Sequence, residues 1–244
     1  MLQLNIRKLN ASSSTNKELK NLLQLNNLKS GDGIWTLNQT NGIGQHQSKW
    51  YGEANSHLAL SFYVKLKNLN PKWIYSINCA SALAVLKTLD QFNVPNLSIK
   101  WPNDIMSGNK KICGILAENK IKGSEIKSII GIGINLYEKS FLKLPKATSV
   151  YIETQKKPSI NFFIKKLSEN LIFYMSMCKD YSVEILSNSF NEKLFFIKQC
   201  IQFEIDGKLI KAQINKVHLT GLIELKFMNS EVKNFLPKEI KMIY

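Results

Sequence analysis

Cysteine is scarce in this 244-residue chain, and its placement excludes two classes of protein. Cys79, Cys113, Cys178 and Cys200 lie far apart, mostly among apolar neighbours, with no Cys-x-x-Cys pair and no Cys/His cluster. This argues against a disulfide framework and against a zinc site, and reads as buried free thiols of a cytoplasmic protein. Long hydrophobic runs are also missing. A membrane span needs roughly 20 apolar residues, and the longest candidate, residues 126–136, contains Lys127, Ser128, two glycines and Asn135. The N-terminal segment has no apolar stretch of the secretory type. The chain also lacks a Walker A loop, because no Gly-Lys-Ser/Thr occurs, and Gly42-Ile43-Gly44 lacks the third glycine of a dinucleotide fingerprint. No internal repeat or low-complexity tract is present.

What the chain does have is positive charge, 33 Lys and Arg against 18 Asp and Glu, a formal net charge of +15. Such a balance suits an anionic partner: nucleic acid, a phosphorylated ligand or an acidic protein. The lysines are scattered along the chain, however, and a general compositional bias accounts for the charge as well as a nucleic-acid role does.

The hydrophobic pattern is that of an α/β protein. Ser14-Thr15-Asn16-Lys17-Glu18 resembles a capping box ahead of Leu19, Leu22 and Leu23 at helical spacing. Strands are expected at 34–38, 57–64, 98–101, 111–118 and 127–136, and helices at 76–92, 160–174 and 182–193. Residues 39–56 form a long polar segment without periodicity, and loops of that length are usually functional or mobile. Near Gln199 the character changes to short strands and tight turns, Asp206-Gly207 being a hairpin signal. We divide the chain into residues 1–193 and 194–244. The second part is small enough to be marginal alone and is expected to dock on the first.

Four segments offer chemistry, each with a plainer reading. Ser14-Thr15-Asn16 is a helix cap, which is compatible with a ligand site because free N–H groups lie at a helix start. Residues 39–50, with Gln39, Gly42, Ile43, Gly44, Gln45 and Trp50, are either a backbone cradle for an anion or a surface loop. Lys100-Trp101-Pro102-Asn103-Asp104 is either an anion-meeting lysine at a strand end or an ordinary strand-to-turn junction. Lys111 follows on the next strand, within hairpin reach of Lys100. Gly131-Ile132-Gly133-Ile134-Asn135 is either a strand that lets a ligand come close or a tightly packed central strand.

In this order and spacing the segments resemble the biotin protein ligase family over nearly the whole chain. Members show Ser-Thr-Asn at the first helix, Gln followed by a glycine-rich loop ending in Trp, and Lys-Trp-Pro-Asn-Asp, matched at all five positions 100–104. A Lys-x-x-Gly-Ile-Leu strand follows at Lys111–Leu116, then Gly-x-Gly-Ile-Asn at Gly131–Asn135. The loop departs from the family. Where members commonly carry arginines, this chain has Ile43, Gln45, His46, Gln47 and Ser48, and only Gly42, Gly44 and Trp50 match.

The resemblance implies an α/β (α+β) fold: a mixed-sheet catalytic domain like that of class II synthetase-like biotin/lipoate ligases, plus a small SH3-like β-barrel. It implies that ATP and biotin are joined as biotinyl-5'-AMP, with Mg²⁺ held mainly by the phosphates, and that biotin passes to a lysine of the biotin carboxyl carrier domain of a carboxylase. Lys100, Lys111 and Asp104 would be catalytic. Ser14, Thr15, Asn16, Gln39, Gly42, Ile43, Gly44 and Trp50 would bind biotin. Gly44, Gln45, Lys100, Lys111 and Asn135 would bind ATP and the adenylate. The first motif begins at Ser14, so a monofunctional type without a DNA-binding domain is expected, with weak, salt-dependent DNA binding at most. Alternatives are a lipoate or octanoate ligase, whose usual Arg-Arg-x-Ser-Gly-Gly-Gly-like loop is not found, and a catalytically impaired biotin-binding relative.

The arginine-poor loop yields a test. Each charge-assisted hydrogen bond lost from the adenylate phosphate is worth roughly 1.5–3 kcal/mol, so even one means about tenfold or more in affinity. Trapped biotinyl-AMP is expected to escape faster than from an arginine-bearing ligase, and more slowly at mildly acidic pH if His46 meets the phosphate. Timed release across pH checks both. Release as slow as from the arginine-bearing enzyme would show that other groups compensate.

Overall fold

The run from His57 to Val64 carries bulky apolar residues at one parity and small or polar ones at the other. A computed structural model, which describes residues 2–25, 28–67, 70–142, 144–178 and 182–244, buries this run on both faces. Strands β1 (Asn5–Lys8) and β2 (Asp32–Thr36) enclose helix α1 (Thr15–Gln24). A small hairpin, β3 (Gly42–Ile43) and β4 (Lys49–Trp50), precedes β5 (His57–Lys67). Helix α2 (Ser76–Gln91) leads into a meander of β6 (Leu97–Lys100), β7 (Asp104–Ser107), β8 (Lys110–Lys122) and β9 (Glu125–Asn135). Helices α3 (Val150–Thr154), α4 (Ile160–Ser176) and α5 (Ser182–Glu192) follow. The seven-stranded sheet runs β1-β2-β5-β9-β8-β7-β6. Only β1 and β2 pair in parallel, so the sheet is mixed, as expected.

Strand alternation assigns the two faces different tasks. Leu58, Leu60, Phe62 and Val64, with Ile130, Ile132 and Ile134, belong to a large core beneath α2, α4 and α5. Each such side chain stabilises the fold by roughly 1.5–3 kcal/mol when fully buried. The opposite face needs less. There Leu19 of α1 packs with Ile34, Tyr63 and Ile129 in a smaller core. Beyond it the same face carries Ser61, Ala59 and His57 opposite Gly131, Gly133 and Asn135. A face supported from behind can be lined with glycine and polar groups, and a cavity opens on it.

The remaining strands, β10 (Cys200–Ile205), β11 (Lys208–Val217), β12 (Ile223–Phe227), β13 (Val232–Phe235) and β14 (Ile240–Ile243), form a five-stranded antiparallel sheet in the order β13-β12-β11-β10-β14. Asp206 and Gly207 both have positive φ, 49° and 73°, as a two-residue hairpin of the primed type demands. This sheet docks as expected. Phe203, Ile214, Val217 and Leu225 join the large core. Trp101 Nε1 donates to the Gly221 carbonyl at 3.0 Å, and Tyr75 N to the Leu219 carbonyl at 3.1 Å.

Several local expectations change. Strands β1, β7 and β14 and helix α3 are additions; each is four or five residues long, too short to display a period. The segment 39–56, read as lacking strands, contains the β3–β4 hairpin. Cys200 is exposed, unlike the other three cysteines. Burial pushes the Cys178 thiol up to about 12 and raises Cys79 and Cys113 as well.

Trp101→Phe keeps a six-membered aromatic ring in the core but removes the five-membered ring with its N–H, leaving the Gly221 carbonyl without its donor. A loss of about 1 kcal/mol is expected by urea denaturation, with faster amide exchange in β11 and β12. An unchanged midpoint and exchange pattern would show that this bond does not hold the small sheet.

Candidate functional site

One cross-strand row organises the site. Thr36, Ala59, Gly133, Gly114, Asp104 and Lys100 are successive register partners across β2, β5, β9, β8, β7 and β6. Directly paired residues share a face of a sheet, so the row lies along the floor of the cavity, with two glycines at its centre. Neither glycine leaves room for a side chain. A Cβ on Gly133 would lie 2.7 Å from the Trp50 indole, and one on Gly114 would lie 3.0 Å from it. The Trp50 ring therefore rests on the sheet backbone. In the adjacent row, a Cβ on Gly131 would come within 2.2 Å of Asn16 Oδ1, so that glycine admits Asn16.

The main cavity, about 230 Å³, is lined by Ser14, Thr15, Asn16, Gln39, Ile43, Gly44, Gln45, Ser48, Lys49, Trp50, Asp104 and Lys111, among others. The start of α1 closes one end. Ser14 stands at the N-cap with extended backbone, but its side chain caps nothing. Instead, Gln39 Oε1 accepts from Thr15 N at 2.9 Å and Thr15 Oγ1 at 3.2 Å. Glu18 accepts from Ser12 Oγ at 3.2 Å. The expected capping box is thus replaced by a long-range cap, because the cavity wall brings Gln39 to the helix start. Asn16 Nδ2 donates to Glu118 Oε2 at 2.9 Å.

The loop is pinned as well. Gly42 pairs with Trp50 and Ile43 with Lys49. A Cβ on Gly42 would meet Gln39 Nε2 at 2.6 Å and the Trp50 carbonyl at 2.9 Å, so this position requires glycine. Gly44 N donates to the Ser48 carbonyl at 2.7 Å, and His46 turns the tip with φ 54°.

The two predicted lysines separate. Lys111 lines the main cavity, with Nζ 2.6 Å from Asp104 Oδ1 and 5.4 Å from the Trp50 ring centroid. Lys100 ends the floor row at the sheet edge, and its Nζ lies over the Tyr244 ring at 5.0 Å. It lines a neighbouring cleft of about 240 Å³ with His46, Lys238 and Lys241. Hairpin reach alone would have placed both lysines together, but β7 intervenes. Gln45 and Asn103 line both spaces, so the cleft adjoins the cavity.

Adjoining Trp50 is a third space of about 330 Å³, lined by Trp50, Phe141, Leu144 and Pro145 together with Asn135, Lys49 and Lys111. Asn135 Nδ2 donates to the Thr148 carbonyl at 2.9 Å. Its buried Oδ1, like Trp50 Nε1, has no partner among the described residues.

The sequence pattern of the Biotin/lipoate A/B protein ligase family matches residues 9–135. The chain belongs to that family. Its catalytic-sheet fold and its small β sheet are those found in the solved structure of "Biotin protein ligase from Aquifex aeolicus in complex with biotin and ATP", with TM-score 0.79, 22% identity and 98% of each chain covered. Among curated proteins, the "Bifunctional ligase/repressor BirA" of Salmonella typhimurium is 30% identical over 133 residues, 54% of this chain and 41% of that protein. The "Biotin--[acetyl-CoA-carboxylase] ligase" of Mycobacterium tuberculosis is 29% identical over 145 residues, 57% and 53% of the two chains. The chain thus spans about two fifths of the length of the first of these relatives. No helix among the described residues is long and apolar enough to cross a membrane.

Sequence reasoning missed Ser61, which touches Thr15 and Asn16, and Tyr244, which lies under Lys100; it also missed His57, the cross-strand partner of Asn135. Ser61 and His57 are set by strand register, and Tyr244 by the docking of the small sheet. A period-2 count from Ala59 would have placed both β5 residues on the cavity face. His57 Nδ1 lies 3.0 Å from the Glu53 carbonyl, which only accepts, so Nδ1 carries the proton and Nε2 is bare. Burial lowers its pKa below 6.5, opposed by that hydrogen bond. Burial raises Glu138 above 4.5.

These shifts oppose each other in pH. Between its lowered value and 6.5, His57 binds a proton in the unfolded chain but not in the native one, so stability is lost on acidification through that window. Glu138 acts oppositely above 4.5, where the native state holds the proton longer. His57→Gln is expected to remove the acid-side loss, read as urea midpoints measured downward from about pH 7. An identical slope in the variant would assign the titration to another group.

Proposed function

We propose that the chain is an ATP-dependent biotin protein ligase, which forms biotinyl-5'-AMP and passes biotin to a lysine of a biotin carboxyl carrier protein. The observation that carries this is the Trp50 ring, seated on Gly114 and Gly133, with a polar-ended cavity on one side and an apolar space on the other. Two substrates that meet at Lys111 would use such a division. Biotin's ureido ring takes the closed end, where Ser14 and the Gln39 amide are available, and its apolar stem lies along Trp50. Adenine takes the space behind Trp50, where its exocyclic amine can satisfy the bare Asn135 Oδ1. The phosphates lead to the cleft holding Lys100, Lys238 and Lys241.

The chemistry is two displacements. The biotin carboxylate oxygen attacks the α-phosphorus, an O–P bond forms, and the bond to the leaving pyrophosphate breaks. Both partners are anions, so fixed cations supply the stabilisation. Arg7 is the chain's single arginine and sits on edge strand β1, which leaves the work to lysines. Asp104 holds Lys111, and this pairing favours a positioning role for Asp104 over proton acceptance. Mg²⁺ belongs to this scheme as MgATP, a substrate. In the second step the carrier's lysine amine attacks the anhydride carbonyl, an amide forms and AMP leaves. An acidic carrier would be steered by the +15 charge. Residues 1–193 would carry the chemistry and 194–244 would close the phosphate cleft.

Pyrophosphate release with ATP plus biotin, compared with ATP plus lipoate, is the test. Release with biotin alone is expected. Release with lipoate alone would make the chain a lipoate ligase, and release with neither would make it a binding relative. Lys111→Ala and Lys100→Ala should each slow adenylation on the order of 10²-fold or more, and Lys100→Arg should rescue poorly because a planar fork replaces a compact ammonium. Near wild-type rates in either alanine variant would remove that lysine from the mechanism.

A further inference from the structure

Behind the closed end of the cavity stands a buried serine that none of the motifs quoted above includes. Ser61 of β5 is fully buried, opposite Gly131, with its Oγ 2.6 Å from both Thr15 Oγ1 and Asn16 Oδ1. The proton positions around it follow from the acceptors alone. Glu118 Oε2 and the Leu116 carbonyl only accept, so the Asn16 amide nitrogen faces them and Oδ1 faces Ser61. Gln39 receives the Thr15 N–H, so the atom there is Oε1. Asn16 Oδ1 only accepts, so it takes the Ser61 proton, and Ser61 Oγ in turn accepts from the Thr15 hydroxyl, since one serine proton cannot make both 2.6 Å contacts.

This chain of bonds settles what faces the ligand. Gln39 Oε1 is turned to the Thr15 N–H, so Gln39 offers its amide N–H groups to the cavity. The Thr15 hydroxyl has already given its proton away. The Ser14 hydroxyl, which caps nothing, remains available as an acceptor. The closed end therefore presents a fixed donor beside a hydroxyl, the complement of a urea carbonyl and its N–H. A cyclic disulfide offers neither group.

We propose that Ser61 is a positioning residue that fixes the hydrogen-bond polarity of the closed end, and that this polarity selects a cyclic urea. The inference rests on the ligase reading above. Without Ser61, the Thr15 proton has no fixed acceptor and Asn16 Oδ1 no donor, so the Thr15 hydroxyl is free to turn toward Gln39 or the cavity and the polarity of the closed end is no longer fixed.

The test uses the full chain, with Ser61→Ala and the near-isosteric Ser61→Cys, which fills the space but is a weak donor. Pyrophosphate release gives KM for biotin, for 2-iminobiotin (an imine replaces the urea oxygen) and for ATP. Both variants should raise the biotin KM by about tenfold, the scale of one oriented buried hydrogen bond. They should shrink the preference for biotin over 2-iminobiotin and leave the ATP KM unchanged. Wild-type biotin KM and preference in both variants would overturn the inference while leaving the ligase reading intact. So would recovery in Ser61→Cys, which would mean that packing alone mattered, or a parallel rise in the ATP KM. Failure of the wild-type chain to release pyrophosphate with biotin would overturn the ligase reading, and the Ser61 inference with it.

Discussion

The contact between the Trp50 indole and the backbone of β8 and β9 sets the terms for the rest of the site. A side chain at Gly114 or Gly133 would overlap the ring. With both positions bare, the indole sits against the sheet and borders both the main cavity and the third space. The β3–β4 hairpin exists to deliver that ring. Gly42 lets its strands close against Gln39, and Gln39 in turn caps α1. One loop thus ties the wall, the floor and the closed end together. A rigid frame of this kind suits the proposed reaction, in which two ligands would meet at a single pair of atoms, since misplacement by an ångström is costly to such reactions.

Electrostatics follow from what the frame leaves available. With a single arginine on an edge strand, the cavity depends on ammonium groups, which are point charges on flexible stems and need holding. Each is held differently. Lys111 has the Asp104 carboxylate and the face of Trp50. Lys100 and Lys146 both lie over Tyr244, whose ring packs edge-on against Phe195. The small sheet therefore contributes to the site through its last strand as well as through the core it shares with the large one. A sheet of this size gains its stability from that shared core, so its presence beside Lys100 and the integrity of the large core are linked.

The polar groups divide into occupied and free. Asn16 and Thr15 are used up within the protein, holding Glu118, Gln39 and Ser61. Ser14, the Gln39 amide, Asn135 Oδ1 and Trp50 Nε1 are not. Buried polar atoms left unpaired are expensive, and two of them, Asn135 Oδ1 and Trp50 Nε1, belong to residues that line the third space. Such an arrangement is stable in a protein that a ligand completes. Residues of one motif, Ser14-Thr15-Asn16, thus do different things: the first is open to the cavity, and the other two build it.

Much of this was legible in the chain itself. The 57–64 and 127–136 runs, the helix at 76–92 and the Asp206-Gly207 turn read correctly because each depends on local periodicity or on a local backbone requirement. The order of motifs identified the family, and the glycines of 131–135 marked a close approach. What approached them could not be read, because Trp50 lies 83 residues from Gly133 and Asn16 lies 115 residues from Gly131 along the chain. The position of Lys100 was likewise decided in three dimensions: β7 stands between it and Lys111, and Tyr244 draws it into a separate cleft. Ser61 and His57 were invisible for the same reason, since a strand's sequence shows which residues share a face but not what that face meets. Sequence determined the elements and their chemistry. Long-range register decided which of those groups are spent on the fold and which are left for a ligand.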